Sequence, residues 1–371
     1  MTSLRPAHPV LATLASLLIS ALHATTATAA TPAPTIEALQ ACGNLDVSKQ
    51  LDCFRREAGL PPINAPAAEV TPPDAGSAPR AEVPQSRLDT LWTPAPDVDG
   101  KKENRGVFSQ YKQSYLLATY THSPNNEAHS PTRSAVVREE GPYDTREGKF
   151  LFSFKSLVAG NDRHSLWGAY SQQSHWQVFD GEHSRSFRAN DYEPEAIYSY
   201  RFSDAFREKF SFGGMTPRML NIGFVHQSNG EPLPQSRSWN RVYARLGLEK
   251  TWQDGSSFAV QIRPWLRVPE RPSDNDNPDL TKYLGYGDLE MRYWWSRESS
   301  LSLIARKRSA QFDLAFPFGI PGLVSCKLVQ WHLHYFVGYG ESLIDYNQRH
   351  RTLGLGISIP FPDSKAGNTC Q

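Results

Sequence analysis

Three residues have types and spacing suited to nucleophilic ester chemistry: His226, Ser228 and Asn240. A serine attacks an ester only when a base takes its proton, and the base needs a group that orients it. His226 can take the proton of Ser228, its neighbour two residues along. Asn240 can bind the other imidazole nitrogen and fix the tautomer. An amide carries no charge, so it supports an imidazolium less than an aspartate would. A metal at the oxyanion is the obvious supplement. A His-x-Ser pair alone is weak, and Asn and Ser beside a turn are common turn formers. Two features weigh against coincidence. All three groups fall on the apolar parity of their segments, where polar side chains are costly. No GxSxG, HExxH or P-loop pattern competes with them.

The elements that must hold these residues follow from alternation. Leu220, Ile222, Phe224, His226 and Ser228 share one face of a strand. After a turn, Asn240, Val242, Ala244, Leu246 and Leu248 share the apolar face of the next, and Arg241, Arg245 and Glu249 lie opposite. The same texture runs from about Gly106 onward. Phe258, Val260, Ile262, Leu266 and Val268 alternate with Gln261, Arg263 and Arg267, and Leu353, Leu355, Ile357, Ile359 and Phe361 alternate with small or polar residues. Tyr283, Tyr286, Tyr293, Trp294 and Trp295 gather near strand ends, as in the aromatic girdles of membrane barrels. About twelve segments can be counted: 106–121, 147–157, 164–178, 193–203, 215–227, 238–252, 256–268, 281–296, 299–308, 309–318, 327–340 and 350–361. Charged residues hold the non-apolar parity along whole strands. A soluble sandwich accepts that only on a solvated face. The fold expected is all-β, a twelve-stranded antiparallel transmembrane β-barrel with a short N-terminal periplasmic extension.

The chain has 371 residues and a formal net charge of +1, which gives no electrostatic case for nucleic acid. Residues 1–30 read as a signal peptide: Arg5, an apolar run from Val10 to Leu22, and a small-residue cleavage site at Ala27-Thr28-Ala29. Export permits disulfides. The spacing of the four cysteines favours Cys42–Cys53 and Cys326–Cys370, although three connectivities exist. Residues 31–55 read as a small disulfide-closed periplasmic segment, and 56–104 as an extended Pro/Ala-rich linker. The barrel is expected over 105–362, with a periplasmic tail at 363–371.

His226-Gln227-Ser228-Asn229-Gly230 through Ser236-Arg237-Ser238-Trp239-Asn240-Arg241 resembles the active-site segment of the outer-membrane phospholipase A family. Further stretches agree: Asn190-Asp191-Tyr192-Glu193-Pro194, Asp276 to Tyr283, and Gly338 to Asn347. The resemblance runs from about residue 106 to 361. It implies calcium-dependent hydrolysis of sn-1 and sn-2 acyl esters of phospholipids and lysophospholipids in the outer membrane, activated by homodimerisation. It implies Ser228 as nucleophile, His226 as base and Asn240 as orienter. It implies calcium ligands at Ser236 (side chain), Glu231 (backbone carbonyl), Ser184 (from the partner chain) and Asp276 (a site of the monomeric form). All are oxygen donors, as calcium requires. Gln172, on the apolar parity with Leu166, Tyr170 and Trp176, matches a polar residue of the family's dimer interface. Leu233 stands where a family member has an acid, and the chain runs ten residues past Phe361.

The rival reading is a passive or channel-forming barrel. Arg263, Arg267 and Arg292 are expected to line the lumen, which would suit a channel, and His332-x-His334 reads as a lumen-facing polar pair. A channel, however, needs its chemistry inside, whereas the His/Ser/Asn set faces outward. Twelve strands also leave a narrow interior, since wide aqueous channels need roughly 16 to 18.

Overall fold

Alternating polarity turns these segments into strands, and a sheet with an apolar outer face must close on its polar side to hide its edges. The computed structural model describes Cys53 and residues 86–94, 108–139, 141–183, 186–296, 298–320 and 324–361. The chain divides into two compact units, residues 1–80 and 81–371, and every strand described lies in the second. In chain order the strands are β1 (Phe108–Gln110), β2 (Tyr115–Thr121), β3 (Glu127–Ser130), β4 (Arg133–Val137), β5 (Arg146–Gly160), β6 (His164–Trp176), β7 (Phe187–Arg201) and β8 (Thr216–Ser228). They continue as β9 (Ser238–Thr251), β10 (Ser257–Arg267), β11 (Gly287–Trp294), β12 (Ser300–Arg306), β13 (Ser309–Ile320), β14 (Val324–Tyr339) and β15 (Arg349–Ser358). Antiparallel pairing runs from β5 round through β6 to β15, then to β2 and back to β5, closing a twelve-stranded ring. The short β1 continues the line of β2 along β5, and β3 and β4 form a separate hairpin.

The outer face is greasy. Leu116, Phe152, Leu166, Ile222, Phe224, Val242, Ile262, Leu353 and Leu355 are exposed there, and Leu266 is 73% exposed. In water such a band would be an aggregation site; in a bilayer it is the solvated surface. No helix among the described residues is long and apolar enough to cross a membrane.

The lumen is a charged core in which several ions are paired and others, such as Lys155, Arg245 and Asp191, are met by neutral hydrogen-bond partners, because an unsatisfied buried charge is costly. Arg188 bridges Glu147 and Asp345; Lys149 meets Glu341 at 2.8 Å; Arg241 meets Glu193 at 2.7 Å; Arg263 meets Asp288. Arg263 and Arg292 line the interior as expected, and Arg267 binds into the loop that follows β10. Both mouths carry apolar stoppers. At one end helix α1 (Arg87–Trp92) buries Leu88 and Trp92, and Trp92 packs with Tyr111, Trp167 and Ile197. Two further short helices follow: α2 (Asp204–Lys209), between β7 and β8, and α3 (Leu280–Leu284). At the opposite end from α1, α3 packs Leu280 and Leu284 against Trp239, Trp265, Leu343 and Tyr346.

Three expectations are corrected. The segment 281–296 is not one strand: Leu280 and Leu284 lie four apart and bury together on a helical turn, and the strand begins only at Gly287. Tyr283 and Trp294 are not girdle residues but pack inward, whereas Tyr286, Tyr293 and Trp295 are exposed. The span 56–104 contains α1, whose N-cap Ser86 accepts from the Asp89 N–H and donates to Glu249 at 2.5 Å. The signal peptide, Cys42, Cys370 and the tail lie outside the described residues. Cys53 is disulfide-bonded.

Candidate active site

The hairpin of β8 and β9 carries the candidate triad. Its register sets His226 directly across from Asn240 and Ser228 across from Ser238. Directly opposed residues on one face lie within side-chain reach. His226 Nδ1 donates to Asn240 Oδ1 at 2.9 Å. Nε2 is thereby left to act as the base. Ser228 follows His226 on the same outward face, and its Oγ accepts from the Gly230 N–H at 3.1 Å. No Ser228–His226 hydrogen bond is formed among the described residues; such contacts are commonly long before substrate binds. All three side chains are half-buried, beside Ile222, Phe224 and Val242 on the membrane-facing wall. A nucleophile so placed would meet a lipid ester without that lipid entering the barrel.

The loop between the strands is held by a residue that sequence reasoning assigned no role. Asn229 is buried; its Nδ2 donates to the Gln235 carbonyl at 2.8 Å and its Oδ1 accepts from the Arg237 N–H at 2.8 Å. Gly230 follows at φ 71°, a left-handed conformation that turns the chain away from Ser228. A Cβ there would also meet the Tyr192 ring at 2.9 Å.

The structure brings two of the proposed calcium ligands together. Ser236 Oγ donates to Asp276 Oδ2 at 2.5 Å across forty residues of sequence. The Glu231 carbonyl, on the same loop as Ser236, accepts no hydrogen bond among the described residues. Asp276 already has a cation: Arg133 of β4 reaches its Oδ1 from Nε at 2.8 Å and from Nη2 at 2.5 Å. Ser130 and Thr132 anchor the same hairpin to the Asp276 and Asn275 carbonyls at 2.6 and 2.7 Å. The oxygen set at Ser236 and Glu231 suits calcium. At Asp276 the guanidinium occupies part of the charge a calcium would use. Ser184 lies outside the described residues.

Other sequence candidates fall elsewhere. His332 and His334 both bind Asp313 Oδ1 inside the lumen, at 3.1 and 2.6 Å, and His334 Nε2 meets Lys149 Nζ at 3.0 Å. The Lys149 ammonium beside them favours the polar-pair reading over a metal site. Gln172 is half-buried on the outer wall; it accepts from the Tyr170 hydroxyl at 3.3 Å and donates to Ser174 at 3.2 Å. Glu270 was not anticipated. Its Oε1 accepts from Asn240 Nδ2 at 3.2 Å. It sits in an irregular loop with no local pattern to mark it.

The family model for phospholipase A1 matches residues 93–359. A putative phospholipase A1 of Neisseria meningitidis serogroup B is 38% identical over 280 residues, 72% of this chain and 69% of that protein. Phospholipase A1 of Escherichia coli K12 is 32% identical over 267 residues, 69% of this chain and 83% of that protein. Among solved structures, outer membrane phospholipase A from Escherichia coli superposes with a TM-score of 0.55 at 29% identity, covering 67% of this chain and 93% of that one. A Salmonella typhi outer membrane phospholipase dimer with bound calcium gives 0.56 at 28% identity, covering 69% and 94%.

Proposed function

Because this chain belongs to the phospholipase A1 family, whose fold is a barrel of the Gram-negative outer membrane, we propose that it is a calcium-dependent serine hydrolase. In this reading it cleaves the sn-1 and sn-2 acyl esters of phospholipids and lysophospholipids and works as a homodimer. The observation that carries the reading is the His226–Asn240 hydrogen bond on the membrane-facing wall, with Ser228 on the same strand face.

The steps follow from those groups. Lipid lies along the apolar wall with an ester carbonyl at Ser228. His226 Nε2 takes the Ser228 proton as Oγ attacks the carbonyl carbon, and Asn240 holds the ring while it is charged. The oxyanion meets backbone N–H groups near Ser228, of which Gly230 is already in contact. Imidazolium returns the proton to the departing glycerol oxygen, leaving an acyl-serine. A water then gives its proton to His226 and attacks the acyl carbon, releasing fatty acid and restoring Ser228. The Glu231 carbonyl and Ser236 Oγ would hold calcium, joined by Ser184 of a second copy. Asp276 holds Ser236 in place and is the remaining candidate for a separate calcium site. When bound, calcium supplies positive charge to the developing oxyanion. The outer-wall band around exposed Leu166 and half-buried Tyr170 and Gln172 is the surface two copies would share, and the crystallised Salmonella typhi dimer with calcium supports both parts of this reading.

Ser228→Ala tests the assignment. It should lower phospholipid hydrolysis in detergent micelles by at least about a thousandfold and leave the heat-modifiable migration of the folded barrel unchanged. Full activity in that variant excludes Ser228 as nucleophile.

A further inference from the structure

Asn240 has a weakness that an aspartate would not. The two ends of its amide are nearly the same shape, and a half-turn would present Nδ2 to His226 in place of Oδ1. An N–H aimed at Nδ1 forces the ring proton onto Nε2, the nitrogen that must be free to receive the serine proton. Something must select the correct end. Here Glu270 Oε1 accepts from Asn240 Nδ2 at 3.2 Å while Oδ1 accepts from His226 at 2.9 Å. An ionised carboxylate can only accept, so it bonds the NH2 end and no other.

Glu270 is itself held. Its Oε2 accepts from Arg267 Nη2 at 2.9 Å, and both side chains are only 12% exposed. The same guanidinium donates to the Asn277 carbonyl at 2.7 Å and to Asn275 Oδ1 at 2.8 Å. The Val268 N–H donates to the Asn240 carbonyl at 2.8 Å, tying the start of this loop to the strand that carries the amide. The chain of contacts therefore runs from a fixed guanidinium through Glu270 and Asn240 to the imidazole.

We propose that Glu270 is a fourth, positioning member of the relay Ser228–His226–Asn240–Glu270. It fixes the Asn240 amide and lends negative charge to the imidazolium formed at each proton transfer. Arg267 offsets part of that charge, so orientation is the larger effect. The proposal rests on the hydrolase reading and deepens it.

The experiment measures kcat and KM for phospholipid hydrolysis in calcium-containing micelles by the full-length protein. Glu270→Ala should lower kcat about tenfold with KM and the calcium requirement unchanged, the size typical of outer-shell partners. In an Asn240→Ala background the same change should do nothing further, because the group it acts through is gone. Glu270→Gln is nearly isosteric and keeps an acceptor; it should lower kcat by about three- to fivefold, between wild type and Glu270→Ala, and it carries the test if the alanine variant fails to fold. A kcat within twofold of wild type in either single variant overturns the proposal. So does a loss in the double variant equal to the product of the single losses, or a change confined to KM or calcium requirement. No hydrolysis by folded wild-type protein overturns the hydrolase reading and this proposal with it, an outcome distinct from an active wild type with an indifferent Glu270.

Discussion

Asp276 binds Arg133 and Ser236 at once, so its charge is shared between an internal cation and the oxygen set proposed for calcium. Asp276→Asn should raise the calcium concentration for half-maximal hydrolysis about tenfold. An unchanged value in a calcium titration would mean that Asp276 serves only to anchor the β3–β4 hairpin. A second acid on the loops, Asp345, gives a pH prediction. Burial pushes its carboxyl up, but the neighbouring Arg188 guanidinium and His350 outweigh burial and hold it below its ordinary 3.8. A carboxyl depressed by folding contributes its full stability above its ordinary value and loses it as the pH falls through the folded value. Wild type should therefore lose stability below pH 3.8 more steeply than Asp345→Asn in thermal unfolding followed at a series of pH values. The pairing of His226 with Asn240 was legible in the sequence, because parity and a short turn bring the two strands face to face. Glu270 was not, since its approach depends on how a loop thirty residues downstream folds back, and no periodicity encodes that.

At the scale of elements, the β8–β9 loop and α1 make separable demands. Asn229→Ala leaves the Arg237 N–H and the Gln235 carbonyl without their partners, at a cost of about 1–3 kcal/mol confined to the hairpin end. Activity should drop more than global unfolding stability in the same preparation. Trp92→Ala removes the largest apolar group of α1 and should destabilise the barrel by about 3–5 kcal/mol in urea, with little change in kcat, because α1 sits at the mouth away from the site. Strand positions were readable because a period of two survives in every long strand, even where the inner face is charged. The helices were not. Leu88 and Trp92 are four apart on a single buried turn within Pro-rich surroundings, and Leu280 and Leu284 repeat that spacing just where a strand pattern begins. Two buried residues on one turn mimic strand parity, because a spacing of four is also even.

The whole molecule inverts the usual order of a globular protein, with ion pairs inside and hydrocarbon outside, and the strand edge carrying His226, Ser228 and Asn240 lies on the hydrocarbon side. Two copies meeting on the Leu166–Gln172 wall would sit beside that edge. Leu166→Arg should therefore reduce cross-linked dimer and hydrolysis together, while monomeric barrels keep their folded migration. The stoppers at the two mouths have a different consequence. Helix α1 fills one end and α3 the other, with paired ions between them. We expect a bacterium carrying many copies of such a protein to stay as tight to hydrophilic antibiotics as before, since α1 and α3 narrow the two mouths among the described residues. Overproduced Ser228→Ala protein should leave drug susceptibility where it was, whereas a hollow barrel inserted at the same density would sensitise the cell.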